Sequence, residues 1–146
     1  MAGNLRGLSW KKLSLGTSFE KGFGAMSFSG IFLVIPFLRK RALLQESVEC
    51  GLGQSAGDVG IFLANNNADP ATRAVAQEFS GRYPKWLRLV HEPVQGVCAS
   101  RNRGLRGTTG RFIAFLDADD FMDPDRLRFQ RKVFSSNLGT ALVSSW

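Results

Sequence analysis

The sequence predicts an α/β domain with a parallel, twisted sheet. Apolar runs typical of buried strands alternate with segments whose apolar residues recur every three or four positions, the spacing of one helix face. Two of the helical segments are preceded by an Asp-Pro pair, at Asp69 and at Asp123, and this pair suits the N-cap and the first position of a helix. Because right-handed crossovers leave the strands parallel, we expect the loops after the strands to share one edge, where ligands bind in sheets of this kind.

The elements of the first half follow from local pattern. Residues 31–35 form a continuous apolar run closed by a proline, which is typical of a strand buried on both faces. Residues 42–52 carry leucine and valine at four-residue spacing and are predicted as a helix. Residues 59–63 are the second strand, and the Asn-rich composition of residues 64–69 predicts a turn. A helix then covers residues 70–79 and ends before a glycine and a proline.

The second half repeats this alternation. Residues 86–90 are predicted as a half-buried strand, residues 99–105 as a short helix, and residues 112–116 as the most apolar strand after the first. A further helix begins at Pro124, and residues 141–143 are predicted as a last strand. The last helix carries two apolar stripes, which are Phe129 with Val133 and Leu127 with Phe134.

Composition places the chain among globular proteins and favours an anionic partner. Of its 146 residues, 44% are hydrophobic and 21% are charged, a balance that permits a buried core and argues against disorder. The net charge of +7 suits nucleic acid, a membrane surface or a phosphorylated small molecule. Cys50 and Cys98 lack the spacing of a metal site or a disulfide framework, so we expect a reducing, cytoplasmic environment.

Residues 1–29 are predicted to be an irregular leader that precedes a domain at residues 30–146. The apolar stretch at residues 23–38 is shorter than the about 20 residues that a membrane span needs, and glycines and Pro36 interrupt it. We therefore expect any membrane contact to be peripheral, at the inner face of a membrane.

The strongest chemical signal is Phe-Leu-Asp-Ala-Asp-Asp at residues 115–120, where the fourth strand ends. Asp117 and Asp119 are separated by one small residue, and their hard oxygen ligands suit Mg²⁺ or Mn²⁺ shared with a ligand's phosphates. An acidic cap for the next helix is the alternative interpretation. An EF-hand loop is excluded because Met122 replaces its glycine and Arg128 replaces its glutamate.

The second signal is Gly-Val-Cys-Ala-Ser-Arg-Asn-Arg-Gly at residues 96–104. Gly96 allows a ligand to approach the backbone closely, and the helix that follows offers unpaired N–H groups. Arg101 has a planar guanidinium that can pair with a diphosphate, although an arginine on a short helix is more often simply solvated.

Together these segments make the chain from residue 31 onward resemble the family 2 glycosyltransferases. Four motifs occur in the family's order and rough spacing. They are Val-Ile-Pro-Phe at residues 34–37, the Asn-rich turn that ends at Asp69, residues 96–104, and residues 115–120. The resemblance implies the GT-A fold, a Rossmann-like, mostly parallel twisted sheet with flanking helices.

The resemblance also implies roles for individual residues. Asp119 would ligate Mn²⁺ or Mg²⁺ at the donor diphosphate, and Asp117 would approach the ribose and the metal. The residues implied for nucleotide-sugar binding are Pro36 and Phe37 against the base, with Asn65, Gly96, Arg101, Asn102, Asp117 and Ala118 around the nucleotide. Members of the family invert the anomeric centre by direct displacement, with a carboxylate base that deprotonates the acceptor hydroxyl.

The sequence departs from the family pattern at the base-recognition site and after the metal motif. Ala64 and Asn65 stand where an aspartate is usual. No Asp, Glu or His follows Asp125, so no catalytic residue is identified. We expect the base to lie downstream of Trp146 and the chain to hold the donor-binding half of a truncated GT-A domain.

Two other functions stay open at this point. One is a non-catalytic nucleotide-sugar-binding fragment. The other is a basic nucleic-acid-binding domain, although the chain lacks zinc spacing, an aromatic RNA-binding strand and a helix-turn-helix, so we expect no nucleic-acid partner. The acceptor (a saccharide, lipid or protein) is not specified by the sequence.

Overall fold

Four parallel strands form one sheet in the computed structural model, which describes residues 30–145. The strands are β1 (Ile31–Phe37), β2 (Val59–Asn65), β3 (Leu87–His91) and β4 (Phe112–Phe115), and their order across the sheet is β3-β2-β1-β4. The helices of the described residues are α1 (Arg41–Leu52), α2 (Pro70–Arg82), α3 (Val97–Gly107) and α4 (Arg126–Ser136). The predicted α/β architecture is confirmed, whereas the predicted leader at residues 1–29 lies outside the described residues.

The central strand is β1, which pairs with β2 on one side and with β4 on the other. All of its residues are buried, because helices cover both faces of the sheet. The parallel register places the carboxyl ends of the strands along one edge, where the predicted chemical motifs follow β2, β3 and β4.

The two faces of the sheet differ in how helices pack on them. The face covered by α1, α2 and α4 holds the larger apolar core, which includes Leu33, Leu44 and Leu127. The face covered by α3 has a small cluster around Val34. A Cβ at Gly104 of α3 would overlap the Val34 side chain, so this glycine lets the helix lie directly on the strand.

The beginning of α2 is as predicted, but the beginning of α4 is not. Asp69 accepts a hydrogen bond from the Thr72 backbone N–H at 2.9 Å, and Pro70 is the first helical residue. Asp123 instead accepts a bond from the Asp125 backbone N–H at 2.8 Å. The Asp123 carboxylate closes a turn rather than capping a helix, and α4 begins at Arg126.

One apolar stripe of α4 faces the core and the other faces solvent. Leu127 is buried, and the Phe134 ring packs on Phe112 with ring centroids 5.1 Å apart. Phe129 and Val133 are 53% and 40% exposed. Within the described part of the chain, no helix is long and apolar enough to cross a membrane.

The predicted strand at residues 141–143 is wrong. These residues have no regular secondary structure and pair with no strand of residues 30–145, and Leu142 is 84% exposed. Without a neighbouring strand, an apolar triplet gains neither ladder hydrogen bonds nor burial to offset the entropy of ordering its backbone.

Candidate functional site

Arg101 and Asp117 come together at the carboxyl edge of the sheet. The Arg101 Nη2 atom donates a hydrogen bond to Asp117 Oδ1 at 2.7 Å, and both side chains are partly exposed. They line a cavity of about 570 Å³ whose other walls include Phe115, Phe121 and Phe129. The two strongest sequence motifs therefore meet in one place, as the shared strand edge predicted.

Asp119 has a different cationic partner. The Lys40 Nζ atom lies 2.5 Å from Asp119 Oδ2, although 79 residues separate the two in sequence. The hydrogen bond from Lys40 and, second to it, the lysine's positive charge lower the pKa of Asp119 below its usual value of 3.8. The pair was not predicted, because Lys40 belongs to a basic cluster, residues 39–41, that no local sequence pattern relates to Asp119.

The loop that carries Asp119 is held by one polar side chain of α1 and by another that follows the end of this helix. Ser47 donates a hydrogen bond to the Asp120 carbonyl at 2.9 Å, and Gln54 donates one to the Asp123 carbonyl at 2.8 Å. Gln54 also accepts a bond from the Leu127 backbone N–H at 3.1 Å. Ser47 and Gln54 are buried, and buried polar side chains need such hydrogen-bond partners. Neither residue was predicted as part of the site.

A buried amide shapes the other side of the edge. The Asn66 Nδ2 group donates to the carbonyls of Glu92 and Val94 at 3.1 and 2.7 Å, and Asn66 Oδ1 accepts from the Gly96 N–H at 2.7 Å. Gly96 has φ 135°, which glycine adopts readily, and α3 begins directly after it. Asn66 thus fixes the loop that presents α3. From the sequence, Asn66 was predicted only as part of the turn at residues 64–69.

Glu92 reinforces this loop as a buried acid. Its Oε1 atom accepts a hydrogen bond from the Val94 backbone N–H at 2.9 Å, and its own backbone N–H donates to the Asn65 carbonyl. A buried carboxylate needs such partners. Glu92 was not identified from the sequence as a site residue, and no sequence pattern marks it.

The residues predicted to contact the base are less closely grouped. Asn65 accepts a bond from the Ala68 backbone N–H at 2.8 Å and lines a second cavity of about 320 Å³ beside Arg73 and His91. Pro36 and Phe37 are buried at the end of β1, and Phe37 belongs to the apolar core.

The two remaining predicted residues differ in solvent exposure. Asn102 is exposed on α3 and does not line the cavity that Arg101 lines. Ala118 is partly buried and packs against the core between the two aspartates. Of the residues predicted for nucleotide-sugar binding, Arg101 and Asp117 therefore line this cavity together. Gly96 precedes the helix that carries Arg101.

The oxygen ligands at this edge fit a divalent cation that is shared with a phosphate ligand. Within residues 30–145 no three His, Cys, Asp or Glu side chains are grouped so that they could enclose a metal. Mg²⁺ and Mn²⁺ accept one or two carboxylates and take their other ligands from phosphate and water. Arg101 Nε is buried without a hydrogen-bond partner among the described residues, so a ligand oxygen could satisfy it.

Comparison with protein families identifies the chain. The model of the family described as glycosyl transferase family 2 matches residues 32–143. The chain belongs to this family. The resemblance carried by the four motifs is confirmed, and the members of the family are glycosyltransferases.

Individual relatives agree with the assignment. The uncharacterized glycosyltransferase MJ1057 of Methanocaldococcus jannaschii is 31% identical over 104 residues, which are 70% of this chain and 36% of the relative. The mannosyltransferase PcManGT of Pyrobaculum calidifontis, solved with GDP-Man and Mn²⁺, superposes with a TM-score of 0.67 at 20% identity, over 72% of this chain and 32% of its own. TarS 1-349 of S. aureus, solved with UDP-GlcNAc, gives a TM-score of 0.64 at 15% identity, over 73% of this chain and 31% of its own.

These matches define the fold and the extent of the similarity. The family 2 chain has the GT-A type of α/β fold, as predicted. It spans less than a third of the length of EpsH and EpsJ, two similar Bacillus subtilis glycosyltransferases, and about a third of the PcManGT and TarS chains.

Proposed function

We propose that this chain binds the nucleoside diphosphate of a nucleotide-sugar donor at the carboxyl edge of its sheet. In this proposal Asp117 and Asp119 hold a divalent cation, Mn²⁺ or Mg²⁺, and Arg101 pairs with a phosphate oxygen. The observation that carries the proposal is the convergence of Arg101 and Asp117, from two separate motifs, at 2.7 Å on a cavity of about 570 Å³. Membership of a glycosyltransferase family supports the same substrate class.

The start of α3 supports binding of a phosphate. Gly96 has no side chain, and a Cβ built on it would meet no other atom within 4 Å, so the space beside this loop is open. The first N–H groups of a helix favour an anion, because they lack partners within the helix and lie at the positive end of its dipole. The PcManGT and TarS structures contain GDP-Man and UDP-GlcNAc, which supports the nucleotide-sugar class without selecting a base.

The reaction proposed for the whole protein is inverting transfer of the sugar to an acceptor hydroxyl. A bound divalent cation would neutralise charge on the departing nucleoside diphosphate. Arg101 would orient the diphosphate through its planar guanidinium, and Asn66 would keep the loop before α3 in place. Inversion, the acceptor (saccharide, lipid or protein) and a cytoplasmic location with peripheral contact at a membrane's inner face are all parts of this proposal. The net charge of +7 supports the membrane contact.

Calorimetry of UDP and GDP binding tests the donor site. With Mn²⁺ present we expect binding of at least one nucleotide, and we expect Asp119→Asn to weaken it on the order of ten- to hundred-fold, because a metal ligand is lost. Glu46→Gln is the matched control, since it removes one negative charge from an exposed position on α1. Equal affinity in EDTA and in Mn²⁺, or equal effects of the two substitutions, would contradict the proposal.

A further inference from the structure

Lys40 holds an unusual backbone conformation at the position that precedes α1. Its φ is 69° and its ψ is 62°, in the left-handed region. A residue with a Cβ rarely adopts this conformation, because the Cβ crowds the carbonyl oxygen that follows it. Asn67 is the other non-glycine residue with a positive φ among residues 30–145, and asparagine tolerates it better. Lys40 also gives α1 no side-chain cap, so local helix propensity does not account for a lysine here.

A long-range contact of its side chain does account for it. The Lys40 ammonium lies 2.5 Å from Asp119 Oδ2. The Lys40 carbonyl accepts a bond from the Leu44 N–H at 3.0 Å, which fixes the residue to the first turn of α1. Ser47 of the same helix holds the Asp120 backbone at 2.9 Å. Both partners of the ion pair are therefore anchored on α1.

The pairing is specific to Lys40 within its basic cluster. Arg39 and Arg41 are exposed, and neither forms an ion pair with a carboxylate of residues 30–145. Asp117 is paired separately, with Arg101. One ammonium group thus occupies the carboxylate that the proposed function assigns to the metal.

We propose that Lys40 is a positioning residue that competes with the divalent cation for Asp119. This inference rests on the proposed function, because it requires Asp119 to be a metal ligand. The Lys40 ammonium lies on Asp119 Oδ2, so a divalent cation that binds this oxygen, alone or together with Oδ1, must displace the lysine. When the cation arrives with a nucleoside diphosphate, the phosphate charge gives the released ammonium a new partner. Lys40 thereby makes cation binding depend on the nucleotide.

The test measures Mn²⁺ binding to the full chain by electron paramagnetic resonance of free Mn²⁺, with and without UDP or GDP. We expect Lys40→Gln to raise the affinity for Mn²⁺ alone by roughly five-fold or more. The ratio of the Mn²⁺ affinities with and without nucleotide should fall by a similar factor. Glutamine leaves the left-handed backbone no easier to adopt than lysine does, so this variant changes the charge and not the strain.

Three further variants define the controls. Arg39→Gln removes a neighbouring cation that has no carboxylate partner, and it should change Mn²⁺ affinity by less than about two-fold. Lys40→Arg should behave like the parent chain. Lys40→Gly also removes the ammonium and suits the left-handed backbone, so it gives the same reading if Lys40→Gln does not fold.

Two results would overturn the inference, and they are distinguishable. If the parent chain binds Mn²⁺ with a nucleotide but Lys40→Gln and Arg39→Gln shift Mn²⁺ affinity equally, Lys40 has no special role and the donor site stands. If no variant, the parent chain included, binds Mn²⁺ with either nucleotide, the proposed function fails and the inference fails with it.

Discussion

The two sides of the sheet's carboxyl edge are held by different kinds of interaction. On the side of β2 and β3, the Asn66 amide makes three hydrogen bonds to the backbone, and the residue is only 5% exposed. On the side of β4, Asp117 and Asp119 are held by Arg101 and Lys40, and these four side chains are 36–59% exposed. The same edge thus combines buried hydrogen bonds to the backbone with accessible ion pairs.

The buried amide belongs to the part of the site that is formed before a ligand binds, whereas the ion pairs belong to the part that can change. Removing one partner of a buried hydrogen bond leaves a polar group unsatisfied, at a cost of about 1–3 kcal/mol. Exposed ion pairs contribute little to stability because water and salt compete with them. The loop before α3 should therefore keep its shape whether or not a ligand is bound, whereas the aspartates can exchange their cationic partners for a ligand at little cost.

The largest effect is expected where the buried amide is removed. Asn66→Ala leaves the Glu92 and Val94 carbonyls and the Gly96 N–H without their partner. We expect a loss of about 2–3 kcal/mol in the free energy of unfolding, because water can replace these bonds only in part. Urea unfolding followed by circular dichroism measures it.

The neighbouring asparagine provides the control for this prediction. Asn67 donates one exposed hydrogen bond to the Pro93 carbonyl and has φ 63°, so Asn67→Gly removes the bond and keeps the backbone conformation accessible. Its cost should be below about 1 kcal/mol. If Asn67→Gly destabilises the chain as much as Asn66→Ala does, the contrast between a buried and an exposed amide is wrong.

A smaller effect is expected at the helix that contributes to both sides of the edge. The loop fixed by Asn66 leads into α3, and α3 carries Arg101. Because a Cβ at Gly104 would overlap Val34, Gly104→Ala should displace the helix and cost about 1–3 kcal/mol in the free energy of unfolding. Gly81→Ala in α2 is the matched substitution, since a Cβ there meets nothing within 4 Å, and it should be neutral or stabilise by up to about 1 kcal/mol. Similar losses in the two variants would show that helix propensity, and not the contact between α3 and Val34, determines the change in stability.

Local features of this edge were predictable from the sequence, and its long-range contacts were not. The four strands were predicted because each carries a local apolar pattern, and the start of α2 was predicted because Asp69 and Pro70 act within one turn. The motif residues Arg101 and Asp117 were expected at one edge because parallel topology brings the strand ends together. These are inferences from local pattern and general topology.

The interactions that hold the site were not predicted, because they join residues that are far apart in the sequence. Asn66 contacts residues 26 to 30 positions away, and Lys40 reaches Asp119 across 79 positions. Periodicity and propensity carry no information at such separations. The predicted start of α4 was wrong because the Asp123 carboxylate can accept a hydrogen bond from a turn or from the first turn of a helix. In the structure it accepts one from the Asp125 backbone N–H, which closes a turn.

The smallest effect is expected from the exposed ion pair, and its pH dependence identifies it. Lys40 lowers the folded-state pKa of Asp119 below 3.8, so the pair stabilises the fold above the unfolded-state pKa and this stabilisation is lost as the pH falls through the folded-state pKa. In EDTA, Lys40→Gln should therefore melt on the order of 2 °C below the parent chain at pH 6, with a difference that shrinks as the pH falls below 3.8. Both chains should still lose stability on acidification, because hydrogen bonds from Thr72 lower the pKa of Asp69, and bonds from Arg128 and Ser55 lower that of Asp125.

Only the difference in melting temperature between the two chains reports on Lys40, and Lys40→Arg should abolish this difference. A gap that stays constant from pH 6 to pH 3 would mean that the lysine stabilises the chain through packing, and that Asp119 is not its partner in solution.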